Sequence, residues 1–143
     1  MDQHIAMVAI VVADYDEAIA WYTGKLGFTL VEDTPDTRQG PGRRWVVVRP
    51  AGHAGPAILL AKASNERQSQ AVGNQTGGRV FLFLHTDNFQ RDYRDYSSRG
   101  VSFIRGPSAE LYGTVAVFED LYGNRWDLIE PTARGLPGQL LPR

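Results

Sequence analysis

The chain has 143 residues, no cysteine and a formal net charge of −1, which excludes disulfides, a thiolate metal site and a cysteine nucleophile. With 43% hydrophobic residues it suits a single compact domain, long enough to bury about two-thirds of its unfolded surface. It offers no basic field for nucleic acid and no Lys/Arg cluster for an anionic membrane, and its interrupted, acidic N-terminal stretch is neither a signal peptide nor a membrane span, so a soluble cytoplasmic protein is expected.

Residues 5–12 (IAMVAIVV) are apolar and β-branched and predict a buried strand. Asp14 with Glu17 has capping-box spacing. Ala18, Ile19, Tyr22 and Leu26 then fall on one helical face, and Gly27 is a natural helix end. FTLVED alternates as a strand. RRWVVVRP (43–50) and PAILLAKA (56–63) predict two further strands around a turn at residues 51–55, where His53 is expected to be solvated. The first module, about residues 5–63, thus reads βαβββ. Residues 64–78 are polar and glycine-ended and read as a connector.

The pattern then starts again over residues 79–131. RVFLFLH is a strand, Asp87 and Gln90 repeat the capping-box spacing, and Phe89, Tyr93 and Tyr96 repeat the apolar face. Gly100 repeats the helix end, and VSFIRG the strand that follows. Asp14 precedes Gly27 by the thirteen residues that separate Asp87 from Gly100. GTVAVFE (113–119) and NRWDLIE (124–130) predict a hairpin around residues 121–124, and the tail at 132–143 reads as irregular. Two copies of one unit predict an α+β, pseudo-twofold fold with a curved, half-open barrel cleft built from both halves.

The stretches DYDEAIAWYTGKLGF and FEDLYGNRWDLIEP resemble the vicinal oxygen chelate superfamily, which includes glyoxalase I, extradiol dioxygenases and bleomycin-resistance proteins. The resemblance spans about residues 5–131 and implies two tandem βαβββ modules, paired as a homodimer. In metal-dependent members four His, Gln or Glu side chains hold a divalent ion. Carried over one at a time, those positions fall on Met7, on Leu59 or Leu60, on Phe81 or Val80, and on Asp127. Such an ion needs oxygen or nitrogen donors, usually three or more from the protein, and a thioether suits copper(I) instead. The expectation is therefore no metal at this site and no cofactor.

The remaining chemistry rests on few residues. His4 sits ahead of the first strand and alternates away from position 7. His85 shares a face with Phe81 and Phe83 if Phe81 is the inward residue, and points the other way if Val80 is; it reads either as a general base or as a strand-end histidine bonded to backbone. Asp127 reads either as a ligand-orienting carboxylate or base with raised pKa, or as the partner of Arg44, Arg125 or another arginine. Glu130 alternates to the opposite face, as a structural residue. At most one of Arg43 and Arg44 enters the cleft. Trp45, Phe81, Phe83, Tyr112 and Trp126 supply aromatic surface, for either a pocket or plain packing. GNQTGG lacks the Lys-Ser/Thr of a phosphate loop, and Gly-x-Ser-x-Gly is absent.

The expected function is binding of a small organic molecule in a metal-free, aromatic-lined cleft, as the resemblance to bleomycin-resistance proteins implies. Met7, Trp45, Leu59, Phe81, Phe83 and Tyr112 would bind the ligand. The alternative is a glyoxalase-like lyase or isomerase with His85 and Asp127 as its acid–base pair, metal-free or with an unusual set such as His4, His85 and Asp127.

Overall fold

A computed structural model describes residues 1–52 and 55–132. His53 and the tail beyond Thr132 lie outside the described residues. The chain divides into two compact units, Met1–Gln75 and Thr76–Arg143.

In the first unit β1 (Met7–Val12), α1 (Tyr15–Leu26), β2 (Thr29–Pro35), β3 (Arg44–Arg49) and β4 (Ala57–Lys62) follow in order. The four strands make one sheet, β1-β4-β3-β2, with β1 parallel to β4 and the other pairs antiparallel. The helix forms where the sequence signals it. Asp14 is extended, and its side chain accepts the Glu17 amide at 2.8 Å. Tyr15, Ala18, Tyr22 and Leu26 form its buried face. Gly27 ends it at φ 71°, a left-handed conformation that a Cβ would strain. That face packs on Ile10, Val12, Val46, Val48, Ile58 and Leu60, all buried. Each buried side chain of this kind contributes roughly 1.5–3 kcal/mol relative to exposure.

The same alternation sends Met7, Ala9, Trp45, Val47, Arg49 and Leu59 to the sheet face away from α1. Arg44 lies on the α1 side, where its backbone N–H donates to the Tyr15 hydroxyl at 3.1 Å. Its guanidinium joins Asp33 at 2.7 Å and Asp16 at 2.9 Å.

The second unit repeats the plan. β5 (Val80–His85), α3 (Phe89–Ser98), β6 (Ser102–Glu110), β7 (Gly113–Glu119) and β8 (Arg125–Pro131) form the sheet β5-β8-β7-β6 with its helix. Phe118 stacks on Trp126 with centroids 5.7 Å apart and meets Tyr96 and Phe103 edge-on. These rings join α3 to its sheet. The fold class is α+β with two tandem βαβββ modules, as predicted.

Three local expectations change. The cap of α3 is Asn88, whose side chain accepts the Arg91 amide at 3.0 Å; Asp87 instead pairs with Arg91 at 2.9 Å. Asn and Asp cap equally well, so spacing alone misplaces the start by one residue. The polar connector contains a short helix, α2 (Glu66–Ala71), capped by Asn65. The strand foreseen in VSFIRG continues to Glu110.

Candidate functional site

In the second unit, strand pairing sets the site. Phe83 lies opposite Asp127, and His85 opposite Ile129. Val117 lies opposite Asp127 on the other side, and Arg105 opposite Val117. Paired residues share a face, so one row across four strands reads Phe83, Asp127, Val117, Arg105. This face is turned from α3, because Trp126, Leu128 and Phe118 alternate toward the helix. Phe83 is 62% exposed. The Phe81 position falls at the β5 register irregularity between Val80 and Leu82, so pairing places Phe83 and His85 on the Asp127 face without deciding Phe81.

Asp127 is half-buried, and burial pushes its carboxyl above the usual range while the Arg105 charge pulls it back. Neither arginine named from sequence is its partner. Arg44 is held by Asp33 and Asp16, and Arg125 donates to the Gly78 carbonyl at 3.2 Å. Arg105 was missed because β6 shifts register between Phe103 and Arg105 and again before Ser108, and each shift exchanges faces. Tyr112 sits in the β6–β7 turn. Burial raises its hydroxyl pKa, with the negative charges of Glu110 and Asp127 adding to the rise. Glu130 faces the helix side, and its Oε1 accepts the Phe89 amide at 2.7 Å. This is the structural role expected for it.

Arg44 is also relevant to the first unit: being on the α1 side, it is absent from the face that carries Met7, Leu59 and Trp45. There Ala9 pairs with Leu59, Leu59 with Val47, and Trp45 with Thr34. Met7, the residue at the family's first metal position, is 37% exposed. A cavity of about 350 Å³ lies beside Trp45, walled by Glu32, Thr34 and residues 35–38. Arg43 donates to the Lys62 carbonyl at 2.5 Å.

The profile of the Glyoxalase/Bleomycin resistance protein/Dioxygenase superfamily matches residues 4–128. The chain belongs to this superfamily. It is 55% identical over 130 residues to an uncharacterized protein of Shewanella frigidimarina (strain NCIMB 400), covering 91% of this chain and 95% of that one. The crystal structure of UcmS2 matches at TM-score 0.77 and 29% identity, over 91% of this chain and 99% of that one. The structure of TnmS3, an antibiotic binding protein from Streptomyces sp. CB03234, matches at TM-score 0.72 and 28% identity, over 92% and 98%.

The superfamily's divalent ion does not fit the residues this member carries. Leucine and phenylalanine have no donor atom, methionine has a soft one, and Asp127 is a lone carboxylate. Among the described residues no group of three or more His, Asp or Glu side chains could hold a metal. His4 lies ahead of β1 rather than on it. Among the described residues no helix is long and apolar enough to cross a membrane.

Proposed function

We propose that this protein binds a small organic molecule on the helix-free, aromatic-bearing faces of its two sheets. The reading includes Met7, Trp45, Leu59, Phe81, Phe83 and Tyr112 as contact residues and Asp127 as a fixed charge. The observation that carries it is Asp127 itself: a half-buried carboxylate with raised pKa, directly opposite an exposed phenylalanine. A carboxylate so placed gains most from a cationic hydrogen-bonding partner, and an aromatic ring beside it favours a flat or cationic ligand. The antibiotic-binding relative supports this reading. We expect the protein to act in the cytoplasm as a homodimer, since each sheet has edge strands able to pair.

The test is a thermal-shift screen of aromatic amines, with matched neutral and acidic analogues, on wild type and Asp127→Asn. Amines should stabilise the wild type and lose that effect in the variant. If neutral compounds stabilise both proteins equally, Asp127 is structural.

One feature favours a second reading. His85 and Asp127 share a face on adjacent paired strands, two positions apart, roughly 8 Å between backbones. A substrate or a water could span that gap between a general base and an acid. A lyase or isomerase of this kind would lose its turnover in both His85→Ala and Asp127→Asn. A pure binder would keep its affinity in His85→Ala.

A further inference from the structure

Arg49 closes β3, opposite Thr29 on β2. It alternates with Val47 and Trp45, so it lies on the sheet face turned from α1. Its Nε is buried without a hydrogen-bond partner, and among the described residues no acceptor is bonded to its guanidinium. This sets it apart from the other arginines of the described residues, Arg99 among them having a partner. Arg38, Arg44, Arg91 and Arg94 have carboxylate partners, and Arg43 and Arg125 have carbonyls. Arg67, Arg79 and Arg105 are exposed, where water supplies acceptors.

An orphaned buried N–H is rare in folded proteins and asks for an explanation. A guanidinium is suited to planar oxyanions, which it binds with two parallel N–H bonds. The surroundings extend the argument. From Arg49 the same face runs past Val47 to Trp45, about 13 Å along the strand. Val47 is flanked by Leu59 on one side and Glu32 on the other, and Leu59 by Ala9, so the floor between the arginine and the indole is apolar toward β4 and β1 and carries one carboxylate at its β2 edge. The cavity beside Trp45 lies at the far end.

We propose that Arg49 anchors the oxyanion of an elongated, otherwise apolar ligand, a carboxylate or a phosphate monoester, whose aromatic end rests by Trp45. The assignment deepens the small-molecule reading and is independent of Asp127. It gives the unmet N–H of Arg49 an acceptor that the described residues do not supply.

The experiment is calorimetric titration of biphenyl-4-carboxylate, biphenyl-4-yl phosphate and the neutral biphenyl-4-carboxamide into wild type, Arg49→Met and Arg49→Lys. At least one anion should bind the wild type about tenfold or more tighter than the carboxamide, or ~1.4 kcal/mol. The two anions are compared separately, so the preferred oxyanion is identified. Arg49→Met should bind all three alike, and Arg49→Lys should keep part of the preference. Unliganded Arg49→Met should melt at or above the wild-type temperature, because it removes an unmet buried donor. Equal binding of acid and amide by the wild type, or an anion preference intact in Arg49→Met, overturns the anchor while leaving the small-molecule reading standing. If none of the three binds and the aromatic amines fail as well, both readings fall.

Discussion

Asp127 stands directly across from Phe83 in the parallel pairing of β8 with β5, so a carboxylate and an exposed ring share one face. Ionised, that carboxylate opposes folding, because burial raises its pKa. The sign follows from linkage. Below the ordinary carboxylate pKa, folded and unfolded chains are both protonated at this site and it has no effect. As pH rises from there through the raised folded value, the folded state must release a proton it held, and stability falls. Asp127→Asn should therefore gain stability relative to wild type as pH increases across that window. Urea unfolding at several pH values between 4 and 7 measures it; parallel curves would show that the carboxylate is effectively solvated.

Asp120 should be the most costly polar residue to remove in the β7–β8 turn. It is 6% exposed. Its Oδ1 accepts the amides of Tyr122, Gly123 and Asn124 at 3.0–3.1 Å, and its Oδ2 accepts the Asn124 side chain at 3.0 Å and the Trp126 indole at 3.4 Å. Asp120→Ala strands these donors and should cost about 3 kcal/mol, since a buried group left unmet loses its full desolvation cost. Denaturant midpoints give the number, and a loss within experimental error would mean that water replaces the carboxylate.

Two glycines should respond differently to alanine. At Gly27 an added Cβ meets nothing within 4 Å, and only the positive φ is strained, so Gly27→Ala should cost about 1 kcal/mol. At Gly113 the Cβ would fall on the Glu130 carbonyl oxygen and lie 3.0 Å from Pro131 Cα. Backbone atoms of a paired strand cannot swing aside, so Gly113→Ala should cost roughly 2–3 kcal/mol. Equal losses would contradict the close approach of β7 to β8.

Protein purified without a histidine tag should carry no stoichiometric zinc, nickel, manganese or iron. The reason is the donor set: the positions that the resemblance assigns to ligands hold Met7, Leu59, Phe81 and one carboxylate, Asp127. Elemental analysis checks this, and a bound ion that Asp127→Ala releases would refute it.

What could be read from sequence was local or repeated. The cap at Asp14, the stop at Gly27, the buried face of α1 and the second copy of the βαβββ pattern depend on neighbours within a few turns of chain, and the sequence carries those neighbours in order. Glu130 followed from alternation alone along one regular strand. The site depended on long-range pairing. Asp127 meets the field of Arg105 because β6 and β7 pair with two register shifts, and no local pattern announces a shift. Phe81 stayed undecided for the same reason. The unmet Nε of Arg49 is a property of packing in three dimensions: alternation from Trp45 names its face, but whether an acceptor reaches it depends on which strands and side chains converge there. The sequence by itself determined the repeat, the elements and the loss of the metal donors. Tertiary structure decided which charges face one another, because strand register couples residues far apart in the chain and a shift of one position exchanges the two faces of the sheet.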